Sequence, residues 1–129
     1  MADADVVVIG APMHNFSTPS GLKTWIDHVA RAGKTFSYSE AGPKGLLADR
    51  PVYVVITRGG FYSAGSGSEA ADFQEAQLVH VLRFMGLIDV TVIRAEKLAF
   101  GPDFARGSIA DAERQVDEIV EASRAARAA

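Results

Sequence analysis

Two short turns hold most of the residues in this chain that could grip a ligand. The first, Gly10-Ala11-Pro12-Met13-His14-Asn15-Phe16, follows the unbroken apolar run Val6-Val7-Val8-Ile9. The second, Arg58-Gly59-Gly60-Phe61-Tyr62, follows residues 51–57 (PVYVVIT). Pro12 has a fixed φ, so the first turn should be stiff. Asn15 carries an amide that donates and accepts, and Phe16 carries a flat apolar face. Gly59 and Gly60 let backbone N–H groups approach a ligand with no Cβ in the way, although an ordinary tight connection uses the same pair. A planar ligand with a polar edge suits this set of groups.

Other chemistries find no support in residue type and spacing. His14, His28 and His80 have no metal-ligand spacing, so no metal residues are assigned. The chain has 0 cysteines, which removes a disulfide framework, a thiolate metal site and a cysteine nucleophile. The serines lack a nucleophile-elbow context. Asp111, Glu113, Asp117, Glu118 and Glu121 read as the solvated face of a helix, not as a pair of catalytic carboxylates. No side chain is assigned as catalytic. A net charge of −3 leaves no basic footprint, so nucleic acid is not an expected partner. No apolar run approaches the roughly 18 residues that span a bilayer. The acidic start Met-Ala-Asp-Ala-Asp has no signal-peptide pattern, and a soluble cytoplasmic protein is the expectation.

The elements that must position the two turns follow from the apolar pattern. Runs that are apolar on consecutive residues suit parallel strands covered on both faces. Three strands are clear: residues 6–9 and 51–57, which are runs of this kind, and residues 90–93. Both turns follow the carboxyl ends of such strands, where open α/β sheets place their ligands. After the first turn, Thr18 reads as an N-cap and Pro19 as the first helical residue. Leu22, Trp25, Ile26 and Val29 then share one helical face, with Trp25 read as core packing and Gly33 as a stop. Residues 34–50 read as an ordered loop with a short extended piece near Phe36 and Tyr38. Residues 72–85 and 109–127 are helical by period, with a long connection over residues 95–107. The layout predicts one α/β domain, residues 1–129, with right-handed crossovers. Its first strand has a central strand's apolar profile and begins at residue 5, so a sheet edge there would stand uncovered.

These residues also resemble a family. Ala11-Pro12-Met13-His14-Asn15-Phe16-Ser17, Leu22-Lys23, Asp27 and Ala30-Arg31-Ala32-Gly33-Lys34-Thr35-Phe36 are similar to the FMN-dependent NADH-azoreductases. So are Gly42-Pro43-Lys44-Gly45-Leu46, Thr57-Arg58-Gly59-Gly60, Phe84-Met85-Gly86 and Ala99-Phe100-Gly101-Pro102. These enzymes belong to the flavodoxin-like NAD(P)H:quinone reductase group, and the resemblance runs from about residue 5 to residue 120. It implies a flavodoxin-like parallel sheet with helices on both faces, here truncated to about three strands. Family members begin with a strand, a Ser-rich phosphate-binding loop, a helix, a second strand and another helix. The first strand of this chain corresponds to the family's third, and its sequence has nothing matching the loop that grips the FMN phosphate.

By resemblance, Pro12, Met13, His14, Asn15 and Phe16 line the isoalloxazine ring of FMN. Thr57, Arg58, Gly59 and Gly60 form the second flavin loop, whose backbone N–H groups meet the pyrimidine edge. Tyr38 and Phe84 match aromatics that border the substrate pocket, with Phe84 facing the partner subunit's site in a homodimer. Tyr62 stands where many members have a histidine. The implied activity is an oxidoreductase one: hydride passes from NADH to FMN, and two electrons go on to a quinone or azo compound. Two other readings stand beside it: a non-catalytic structural or interaction domain with weak or no flavin binding, and a flavodoxin-type electron carrier. The reductase reading is preferred because the motifs match that group most closely.

Overall fold

The computed structural model describes residue 1 and residues 3–128. In chain order its elements are β1 (Val7–Pro12), α1 (Ser20–Val29), β2 (Phe36–Ser39), β3 (Gly42–Gly45), β4 (Val52–Thr57), α2 (Glu75–Phe84), β5 (Val90–Ala95) and α3 (Pro102–Ala128). A short 3-10 turn, Glu69–Ala71, precedes α2. The three apolar runs pair in parallel in the order β1-β4-β5, with Val7 opposite Val52 and Val52 opposite Val90. This is the predicted α/β architecture.

Successive residues of a strand point to opposite faces. On one face Ile9, Ala11, Val52, Val54 and Ile56 meet Ile26 of α1 and Leu78 and Leu82 of α2. Met85 and Leu87 close that core, and Leu22 and Trp25 pack against it as their helical spacing predicts. Each large apolar side chain fully buried here contributes about 1.5–3 kcal/mol. On the other face α3 packs beside β5. Val6, Val8, Tyr53 and Val55 there share an apolar groove of about 430 Å³ with Val116, Ile119 and Val120. Helices thus lie on both faces. β1 is an edge strand and Val8 is 68% exposed, the uncovered edge anticipated from the sequence.

Three local expectations are corrected. Helix α1 begins at Ser20 rather than Pro19; Pro19 holds the cap position, and its C=O accepts from the Lys23 N–H at 3.0 Å. Thr18 is buried and makes no capping bond. Residues 36–45 form an antiparallel hairpin, Phe36 opposite Gly45 and Ser39 opposite Gly42. Its second strand, Gly-Pro-Lys-Gly, has no β-branched or aromatic residue, so nothing in its own composition announces it. The last helix starts seven residues before the predicted one, at Pro102. Gly101 at φ 127° turns the chain into it, and proline is pre-set for a first helical position. The first turn lacked an apolar stripe because Phe104 faces solvent.

Candidate functional site

The two turns lie side by side at the carboxyl ends of adjacent strands. The Met13 N–H donates to the Thr57 C=O at 2.8 Å, carrying the parallel ladder one step past the strands. The chain then reverses over His14-Asn15-Phe16-Ser17, with His14 N–H to Ser17 C=O at 2.9 Å and the reciprocal bond at 3.0 Å. Asn15 (φ 48°) and Phe16 (φ 68°) are both left-handed. A two-residue reversal of this hand prefers Asn-Gly, so Asn15 suits it and Phe16 does not. Left-handed backbone costs a residue with a Cβ about 1–2 kcal/mol.

The strained residue presents its ring. Phe16 is 52% exposed and meets Tyr62 edge-on, centroids 6.2 Å apart, while its C=O accepts from the Phe73 N–H at 3.1 Å. Strain held at an exposed ring points to function rather than stability. Phe16→Asn is therefore expected to change folding free energy by no more than about 1 kcal/mol, because relief of the left-handed strain offsets the lost ring contact. Urea denaturation checks this.

Arg58 turns inward. It is 1% exposed, and its guanidinium donates to Gln74 Oε1 (3.2 Å), Glu96 Oε1 (3.1 Å) and Asp72 Oδ2 (2.7 Å). Its Cζ also lies 5.7 Å from the Tyr62 ring centroid. Gln74, fully buried, gives its amide N–H to the Ala11 C=O at 2.8 Å and so ties the end of β1 to the same cluster. Asp72 accepts from the backbone N–H groups of Gln74 and Glu75, each at 3.1 Å, at the start of α2. Arg58 thus belongs to the second turn through its backbone, and its side chain is the scaffold beneath both turns.

Asp72, Gln74 and Glu96 were not singled out in the sequence. Glu96 had one legible signal: it is an acidic residue directly after the third apolar strand, at the same sheet edge as the two turns. Its carboxylate accepts from the Tyr62 N–H (3.0 Å) and the Ser63 hydroxyl (2.5 Å) as well as from Arg58. Burial pushes its pKa up, but the bonds from Ser63, Tyr62 and Arg58 outweigh burial and hold it below the ordinary glutamate value.

Between Arg58 and Tyr62 the second turn leaves donors free. Among the described residues, nothing accepts from the N–H groups of Gly59, Gly60 or Phe61. A Cβ at Gly60 would come within 2.8 Å of the Tyr62 ring, so this position is closed to any larger residue without movement. Free N–H donors on one turn and an exposed ring and amide on its neighbour can hold a flat ligand with acceptor atoms along one edge.

Tyr38 and Phe84 are not part of this cluster. They lie with Phe36 in an aromatic group, Phe36 being 5.4 Å from Tyr38 and 4.6 Å from Phe84 between centroids. Phe84 ends α2, next to the amino end of β5. A strand of six residues, at about 3.3 Å each, puts roughly 20 Å between that end and the turns.

A family model described as a flavodoxin-like fold matches residues 1–120. The chain belongs to this flavodoxin-like family. It is 53% identical over 116 residues to the FMN-dependent NADH:quinone oxidoreductase of Azospirillum brasilense. The match covers 90% of this flavodoxin-like chain and 56% of that protein. A protein of the same name from Hyphomonas neptunium is 51% identical over 118 residues, 92% of this chain and 56% of its own length. Among solved structures, an azoreductase from Bacillus anthracis strain Sterne superposes with a TM-score of 0.83 at 31% identity, covering 92% of this chain and 56% of that one. An FMN-dependent NADH-azoreductase from the Ames Ancestor strain, in complex with FMN, gives 0.78 at 29% identity, with 92% and 57% covered. The flavodoxin-like chain therefore spans little more than half the length of these relatives. Among its described residues no helix is long and apolar enough to cross a membrane, and no three His, Cys, Asp or Glu residues group as a metal site.

Proposed function

We propose that this chain carries the flavin-ring site of an FMN-dependent NADH:quinone or azo-compound oxidoreductase working in the cytoplasm. The observation behind it is the joined pair of turns, Met13–Phe16 beside Arg58–Tyr62, in a chain about half identical to proteins of that name. The isoalloxazine ring fits what the turns offer. Its pyrimidine edge presents acceptors, and the N–H groups of Gly59 and Gly60 are unpartnered donors among the described residues. Asn15 adds an amide and Phe16 a flat face, while Pro12, Met13 and His14 set the wall between strand and reversal. Thr57 joins the two turns through its C=O. The phosphate fits less well: neither turn presents a lysine or arginine outward, because Arg58 is engaged by Asp72 and Glu96.

Bound FMN supplies two-electron redox chemistry between NADH and a quinone or azo compound. The residues of this chain bind and orient the ring, and the N–H donors of the second turn favour its electron-rich form. No side-chain acid, base or nucleophile is assigned. We assign a homodimer as the working unit, with Tyr38 and Phe84 of one copy bordering the other's substrate pocket, since both lie at the far end from their own turns. Light scattering at micromolar concentration tests this; a clean monomer overturns it.

FMN titration followed by absorbance tests the main reading. A bound-flavin spectrum with stoichiometric binding, and weaker binding in Phe16→Asn, supports it. No binding at high micromolar FMN overturns it. In that event a second reading takes its place, an interaction domain, favoured by the open β1 edge and the apolar groove beside it.

A further inference from the structure

We propose that the segment after β5 is a third element of the site, in which Glu96 and the N–H groups of Lys97, Leu98 and Ala99 set the direction of the flavin-facing donors. The proposal rests on the reading of Arg58–Tyr62 as the flavin-edge turn.

The first three carbonyls of that turn are tied down by this segment. The Leu98 N–H donates to the Arg58 C=O (3.1 Å), the Ala99 N–H to the Gly59 C=O (3.0 Å) and the Lys97 N–H to the Gly60 C=O (2.7 Å). In a trans peptide unit the C=O of one residue and the N–H of the next point in opposite directions. Fixing the carbonyls of Arg58, Gly59 and Gly60 therefore turns the N–H groups of Gly59, Gly60 and Phe61 the other way. Those are the three donors without a partner among the described residues.

Glu96 clamps the ends of the same turn. One carboxylate oxygen accepts from the Arg58 guanidinium and the Tyr62 N–H, and the other accepts from the Ser63 hydroxyl. The residue is 9% exposed, so these bonds form largely out of water. Glu96 is itself held, since its N–H donates to the Ser108 hydroxyl of α3 at 2.9 Å. Lys97 completes the clamp: it is left-handed (φ 61°), and its Nζ lies 4.2 Å from the Phe61 ring centroid. Glu96 is thus a positioning residue for donors it does not itself supply.

The test is residue-resolved amide hydrogen exchange on the ligand-free chain, comparing wild type with Glu96→Gln and Ser63→Ala, followed by FMN titration of each. Loss of charge-assisted bonds is expected to raise exchange at Tyr62, Lys97, Leu98 and Ala99 by about tenfold in Glu96→Gln, with Val54 and Ile56 in β4 unchanged. FMN affinity is expected to fall by a similar factor, and Ser63→Ala should show the same pattern more weakly. Exchange that stays at the wild-type rate in the turn, or rises equally in turn and core, overturns the proposal. Should Glu96→Gln fail to fold, Ser63→Ala decides the matter by the same comparison. Failure of the wild type to bind FMN removes the flavin reading and not the clamp, because exchange is read without flavin.

Discussion

Arg58→Met is expected to lower folding free energy by about 3–5 kcal/mol, the usual cost of removing one partner from a buried ion cluster. A small domain has only about 5–15 kcal/mol in total, so the variant should be close to unfolded. Methionine fills much of the same volume and leaves little cavity; the loss is electrostatic. Glu96 would keep a buried charge and Asp72 a half-buried one, and Gln74 would lose the donor to its Oε1 while still bonded to Ala11. Arg58→Lys should recover part of the loss, since a compact ammonium cannot reach three acceptors spread across a planar fork. Disrupting the exposed Arg94–Glu75 pair is expected to cost at most about 1 kcal/mol. Urea midpoints of the three variants check the order. A loss below about 1 kcal/mol for Arg58→Met would mean the carboxylates do not depend on this cation.

Gly45→Ala is expected to cost about 3 kcal/mol, at the upper end of overpacking effects. A Cβ at Gly45 would fall 2.3 Å from the Gly86 nitrogen, 2.5 Å from its Cα and 2.6 Å from the Met85 carbonyl carbon. All three are backbone atoms, so no side chain can move aside. Gly86 is equally confined, at φ 108° and 2.5 Å from Cβ to the Leu47 oxygen were it an alanine. The Leu47 N–H to Met85 C=O bond, 3.0 Å, holds the two segments at this separation. Pushing them apart should also displace Phe84 from Phe36 and Tyr38. Gly21→Ala is the contrasting variant. It lies within α1 with nothing within 4 Å of its Cβ position, and should stabilise the chain by about 0.5–1 kcal/mol. Thermal unfolding of both variants beside wild type decides whether close approach, rather than glycine content, is what matters at Gly45.

Much of the architecture is legible in local pattern. Val6-Val7-Val8-Ile9 and PVYVVIT are continuous apolar runs of strand length, the pattern of parallel strands between layers of helices, although Val8 of the edge strand stays exposed. The placement of both turns at the sheet's carboxyl edge follows from that alternation, because parallel strands all end on the same side. Asn15, Phe16, Gly59 and Gly60 were visible as site candidates for the same reason: they fall at that edge, for Gly59-Gly60 alone reads equally well as a tight connection. The hairpin strand Gly42–Gly45 was not legible. Its backbone pairs because Phe36–Ser39 lies opposite and because Gly45 must sit against Gly86, and neither fact is local to its four residues.

By itself the sequence determined the three parallel strands, the helices that cross between them, and which two turns stand at the edge where such sheets take ligands. Those features arise from apolar period and from backbone preferences of single residues. Tertiary structure decided the rest. Arg58 reads as one more residue of a glycine turn, yet three acceptors from distant positions draw its side chain into the interior and leave only its backbone at the surface. Glu96 reads as a charge at a strand end, yet it sits where the turn after β4 needs an acceptor. Tyr38 and Phe84 stand far apart in the sequence, yet the fold gathers them with Phe36 into one aromatic group separate from the turns. Hydrogen bonds and ion pairs are satisfied by proximity in space, and spacing along the chain does not encode which distant groups will meet.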